Sequence, residues 1–285
     1  MANSFRIVAV ALGLVGCLAN GAGAQSTTFR DAQRLFYSAR FEAAASLANT
    51  AREADGLAAS ELRSSAILFQ IRRIFGEPRD KDAALKQCAA CAALMAAFFE
   101  ETSRGQALAR ARLQTAPADE AALFYLGKLD LNYVWLQLGT FGRKTGWSEY
   151  WEARRSLDTV LKRNPEHVRA RVARAWIDYI VDTKLPRGTR WLVGGGNKKK
   201  GLSVVEQAAA SSADFFVQAE ASFALWDMQV REHNLSGALV TARSLSRDFP
   251  DNAELIKFLE NNEPTAGLSS ASRATSQSLL SSSSR

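Results

Sequence analysis

The sequence predicts an all-helical fold of paired helices, and three observations carry that expectation. Apolar residues recur at three- and four-residue steps, strict alternation of apolar and polar residues is scarce, and the six prolines mostly punctuate long alanine-rich stretches. Hydrophobic residues at 47% and charged residues at 23% match an ordinary globular chain, so most of the 285 residues are expected to fold.

Residues 1–24 read as a secretory signal peptide. Arg6 and the amino terminus supply positive charge, and Ile7–Gly16 is apolar but too short to span a bilayer. Ala22, Gly23 and Ala24 then offer small residues for cleavage before Gln25. A second reading stands beside it: Leu14-Val15-Gly16-Cys17 resembles the lipobox of bacterial lipoproteins, in which Cys17 would be lipidated. Both readings predict export, to the periplasm or to the outer membrane as a lipoprotein. No transmembrane segment is expected in the mature chain, because the longest later uncharged stretch, Cys88–Phe99, is too short.

Residues 25–262 form the expected folded domain, with about twelve helices in five or six pairs. Leu123, Leu126, Leu129, Tyr133 and Leu136 give one apolar helical face, and Val217, Ala221, Leu225, Met228 and Val230 nearly repeat it. Asp119, Ser148 and Asp251 are the expected N-caps. Ala153 precedes Pro165 by twelve positions, with Leu157 and Val160 between; Ala238 precedes Pro250 by twelve, with Ala242 and Leu245 between. Trp226, preceded by Leu225, stands twelve before Ala238, Leu126-Gly127 marks an earlier helix, and Phe41–Ala44 opens a weaker copy with Gly56 in the proline's place.

These residues make the chain resemble the tetratricopeptide-repeat family, whose 34-residue units are antiparallel helix pairs. The resemblance covers about residues 29–262 and implies an α-α superhelix, a right-handed solenoid of helical hairpins with a concave surface for a protein or peptide partner. Two departures imply loop insertions. Pro117 to Pro165 spans 48 residues, which places one insertion around Gly139–Gly146, and Lys184–Lys200 forms the other.

Cys88 and Cys91 form a C-x-x-C read as a helix interior, where buried structural thiols or a local disulfide are the two readings. No second pair or nearby histidine completes a zinc site, so no metal or cofactor is expected. His167 and His233 read as solvated turn residues, and no H-E-x-x-H or G-x-S-x-G motif occurs. Nothing visible assigns a catalytic residue.

The sharpest local signal is basic and aromatic. The net charge of +7 is concentrated between Arg143 and Lys200, where 15 Lys/Arg face 6 Asp/Glu. Trp147, Tyr150 and Trp151 open one helix, and Arg187, Arg190 and Trp191 follow in the second insertion. Trp191 is the one expected to be exposed. Gly194, Gly195 and Gly196 then precede Lys198, Lys199 and Lys200, without the Gly-Lys-Ser/Thr of a phosphate loop. Three lysines at a helix start oppose its dipole, which calls for full solvation or an anionic partner. These nine residues either pack the insertions on the stack or form a partner-binding face. An acidic protein or peptide, or an anionic envelope surface, is the expected counterpart; nucleic acid is disfavoured for an exported chain.

The expected function is therefore a non-catalytic interaction module of the bacterial cell envelope. Its rivals are a lipid-anchored structural component of an outer-membrane assembly or secretion machine, and an enzyme or small-ligand carrier with a pocket between the insertions. Residues 263–285 are serine-rich and predicted disordered.

Overall fold

The structure is a computed structural model that describes residues 25–262. The expected leader with Cys17 and the serine-rich tail lie outside the described residues. Every regular element among those described is helical. The α-helices are α1 (Thr27–Tyr37), α2 (Phe41–Thr50), α3 (Arg52–Phe75), α4 (Lys81–Gln87), α5 (Ala89–Thr115), α6 (Glu120–Val134), α7 (Trp147–Arg163), α8 (Val168–Lys184), α9 (Lys198–Ala209), α10 (Phe215–Arg231), α11 (Leu235–Asp248) and α12 (Ala253–Asn262).

Polar caps start most of these helices, because the first backbone N–H groups have no partner within the helix. Phe29 N–H donates to Ser26 Oγ at 3.1 Å, Ala122 N–H to Asp119 Oδ1 at 2.9 Å, and Lys200 N–H to Asn197 Oδ1 at 2.9 Å. Two expected caps move, one by two positions and one by one. Ser148 lies inside the first turn of α7, whose cap is Gly146, and α12 is capped by Asn252 rather than Asp251.

Successive helices pack as hairpins, α1 with α2, α3 with α5, α6 with α7, α8 with α9 and α10 with α11, and α12 covers the last. Small residues let the rods approach closely. A Cβ on Gly127 of α6 would meet Leu157 Cγ at 3.0 Å and the Ala153 carbonyl at 3.3 Å, so any side chain there would crowd α7. Ala153, Leu157, Ala238 and Ala242 are fully buried, as the spacing predicts. Val230 departs from its expected apolar face and is exposed.

Several sequence expectations are corrected. Helix reaches the start of the first insertion: α6 runs on through a π-turn, Trp135–Thr140, that takes in Gly139 and Thr140 before the chain bends to α7. The second insertion is ordered by a 3-10 turn, Arg187–Val193, followed by Gly194 and Gly195 in the left-handed conformation. Cys88 and Cys91 are not a helix interior. Cys88 is the corner where α4 and α5 meet at 97°, and the two cysteines form a disulfide across it. His167 is no solvated turn residue; its Nδ1 accepts from Ala170 N–H at 3.1 Å and its ring lies 4.7 Å from Phe124. His233 is an exposed turn residue with φ 56°.

Burial of Glu101 shows how charge is used in the core. The side chain is fully buried on α5 and is held by Arg104 of the same helix and by Arg52 and Arg63, which tie α5 to the start and middle of α3. Burial alone would raise its pKa, but hydrogen bonds from the three guanidiniums hold it below the usual carboxylate range.

The curved stack closes on itself. Tyr37 at the end of α1 stacks on Phe223 at 5.4 Å and on Phe216 at 6.1 Å, both of α10, and touches Phe249 at 5.6 Å. Arg73 of α3 pairs with Glu254 of α12 at 2.8 Å. First and last helices thus meet, and a cavity lies between them and the inner helices.

Candidate functional site

Alternate helices build the wall of this cavity, which has a volume of about 810 Å³. Its lining comes mainly from α1, α3, α6, α8 and α10, with Lys81 of α4, Glu254 of α12 and the segment after α3 at its edge; of the outer helices α2, α5, α7, α9 and α11, only Phe41 reaches it. Each inner helix therefore carries two sequence patterns. One face packs on its hairpin partner, and a second face at the same helical period looks inward: Glu61, Ser65, Phe69 and Arg72 on α3, and Arg169, Ala173 and Trp176 on α8.

A paired ionic network crosses the wall. Lys128 Nζ lies 2.7 Å from Glu220 and 3.6 Å from Glu61, and Arg169 binds Glu220 and lies 3.3 Å from Glu61. Four helices, α3, α6, α8 and α10, meet in these contacts. Burial favours a protonated Glu220, but Arg169 and Lys128 outweigh it and hold the pKa at about 2. Arg169 also stands 4.8 Å over the Phe124 ring. Burial, with Glu220 nearby, pushes the Tyr37 phenol well above its ordinary value, so it stays neutral. Two acids answer two bases, and the network fastens the wall with little charge left over.

Arg72 is different. Its guanidinium lines the cavity 5.3 Å from the Phe69 ring and forms no ion pair or hydrogen bond with the described residues. Desolvation is the main influence on this half-buried cation and lowers its pKa, while Asp227, Glu254 and Glu77 oppose the shift without touching it. Around it the wall is aromatic. Trp135 and Trp176 meet edge to face at 6.0 Å, Arg231 lies over Trp176, and Phe36, Phe223 and Trp226 complete the surface. Buried Gln33 Oε1 and Trp226 Nε1 on the same wall have no hydrogen-bond partner.

None of the nine residues singled out from the sequence lines this cavity. They sit together on the outside, and they divide. Tyr150 is buried and donates to the Val193 carbonyl at 2.7 Å; Trp151 packs on Tyr150 with ring centres 5.4 Å apart. Arg190 binds Asp182 and donates to the Leu185 carbonyl at 3.0 Å. Lys198 N–H donates to Asp182 Oδ2 at 2.7 Å and its Nζ to Glu232 at 2.6 Å. Tyr150, Arg190 and Lys198 thus fasten the second insertion to α7, α8 and the end of α10. Trp147, Arg187, Trp191, Lys199 and Lys200 are left exposed. The pocket expected between the insertions lies elsewhere, for only Gly139, Thr140 and Lys184 of those segments touch the cavity.

Sequence reasoning missed Arg72, Trp135, Trp176 and Trp226 as site residues. The available signal was the second, inward face on helices already assigned an apolar one. Asp130 is a further perturbed group, a buried carboxyl raised to about 8 by desolvation and then by Glu152, but it lies between α5 and α6 against Gln106, away from the cavity. No cluster of three metal-ligating side chains occurs among the described residues, and no single helix among them is long and apolar enough to cross a membrane. Comparisons with family models, curated proteins and solved structures return no match.

Proposed function

We propose that this chain is a non-catalytic, tetratricopeptide-type binding protein of the bacterial envelope, and that its receptor surface is the enclosed concave side. The single observation that carries the reading is Arg72, a guanidinium that no acid contacts directly, in an aromatic-walled cavity of about 810 Å³. A pocket of that size suits a small or medium ligand or a short chain segment. The ligand that best satisfies the wall is an organic anion: its carboxylate or similar head meets Arg72, and its flat apolar body lies among Phe69, Trp135 and Trp176.

Three further observations support parts of this reading. Inner and outer helices alternate around the cavity, as expected for hairpins stacked in a superhelix. Gly127 sits against Ala153, the close crossing that the repeat resemblance implies. The Cys88–Cys91 disulfide suits an oxidising compartment, as export would provide.

The test is thermal shift and calorimetry of the protein against a panel of aromatic and aliphatic carboxylates, with matched neutral amides. A carboxylate should bind at least about tenfold tighter than its amide, and R72Q should remove that difference. Equal binding of acid and amide, or an unchanged preference in R72Q, rejects the anion site. Turnover of any bound compound rejects the non-catalytic reading.

A further inference from the structure

The exposed outer patch stands on observations separate from the cavity. Trp191 is 73% exposed and Leu192 56%, side by side on the 3-10 turn, and Trp147 is 43% exposed. The turn is fixed to the start of α7, because buried Tyr150 beside Trp147 donates to the Val193 carbonyl and Arg154 to the Gly194 carbonyl at 2.6 Å. Trp191 Nε1 donates to the Gly188 carbonyl at 3.0 Å. That bond uses up the polar end of the indole and holds its apolar faces outward.

Charge around Trp191 and Leu192 is one-sided. The acids near the turn are already engaged: Asp182 holds Arg190 and the start of α9, and Glu232 holds Lys198; Glu149, beside Trp147, accepts from Ser148 Oγ at 2.7 Å. Arg187, Lys199 and Lys200 are exposed and form no ion pair with the described residues. Lys199 and Lys200 also stand in the first turn of α9, where the helix dipole opposes them and an external anion would relieve that cost. Two large apolar side chains on a turn, ringed by unneutralised cations, have the composition of an interfacial membrane anchor.

We infer that this patch docks the protein on an anionic lipid surface, with Trp191 and Leu192 entering the headgroup region and Arg187, Lys199 and Lys200 meeting lipid phosphates. An ordered turn costs less to immobilise than a loose loop, which suits reversible docking.

The experiment is vesicle co-sedimentation of the full chain carrying Cys17→Ala, so that no acyl anchor contributes. Vesicles are phosphatidylcholine alone or with about a third phosphatidylglycerol, at low and high salt. Anionic vesicles should bind at least tenfold better, with the preference weakened by salt. W191S/L192S and R187Q/K199Q/K200Q should each lose most of it while circular dichroism stays unchanged, and brominated lipid should quench parent fluorescence more than that of W191F. Equal binding to both vesicle types, or full binding by either variant, overturns the inference. Binding to soluble polyglutamate without vesicle binding also overturns it and assigns the patch to an acidic protein.

Discussion

Asn252 Nδ2 donates to the Tyr37 carbonyl at 2.7 Å, joining residues 215 apart in the chain. The same side chain caps α12, its Oδ1 accepting from Glu254 N–H at 2.9 Å and Leu255 N–H at 3.1 Å. One amide therefore starts the last helix and ties it to the first hairpin.

Replacing it separates those duties. N252A should cost about 2 kcal/mol, from a lost cap and a lost buried hydrogen bond. N252D keeps an acceptor for the cap and removes the donor to Tyr37. If closure depends on that donor, amide exchange should quicken in both α1 and α12 of N252D. Exchange that quickens only in α12 would show that the aromatic cluster alone holds the ring.

The ionic network predicts acid sensitivity. Glu220 sits at about 2 when folded, against roughly 4.3 for an unperturbed glutamate. Its stabilisation is complete above the unfolded value and is lost as pH falls through the folded one. At neutral pH, E220Q should be less stable than the parent by up to about 3 kcal/mol, and the gap should close towards pH 2. A gap that does not change with pH would mean that packing, not charge, explains the loss.

His167 titrates in a second window. Burial lowers its pKa below the ordinary value near 6.5, and its neutral Nδ1 is the acceptor that caps α8. Between the folded and unfolded values the unfolded chain binds more protons, so stability should fall as pH drops below about 6.5. H167N retains a capping acceptor without the titration. Its melting temperature should be flatter than the parent's through that range, with a difference worth about 1 kcal/mol at the acid end. Parallel curves would dismiss the cap.

Asp130 runs the other way. Its folded pKa of about 8 exceeds the unfolded value near 3.9, so the folded state holds a proton that the unfolded state releases. Stability attributable to it is present at low pH and declines as pH rises from about 4 to about 8. D130N, still able to accept from Gln106, should match the parent near pH 4 and exceed it by at least about 1 kcal/mol above pH 8. Denaturant titrations at both pH values check this, and an equal ranking at both would refute a buried neutral carboxyl.

Local signals were legible where neighbours in sequence are neighbours in space. Ala153 and Leu157 lie one helical turn apart and are buried against Gly127 as their spacing requires, and Trp191 is exposed as its glycine and arginine flanks suggest. Roles that depend on a distant partner were not legible. Arg190 and Lys198 read as binding residues, yet Asp182 and Glu232 claim them. Cys88 and Cys91 read as a helix interior because alanines surround them, whereas the disulfide and the 97° corner coincide there.

By itself, then, the sequence determined that this chain is helical, which small residues let its rods cross, and where two segments depart from the regular spacing. Helical period and capping are short-range properties, so a few adjacent side chains suffice to specify them. The tertiary structure alone decided that the curved stack closes and that Arg72 faces an aromatic cavity. Closure is the sum of many small rotations between hairpins, completed by contacts such as Tyr37 with Phe223 that no local pattern encodes.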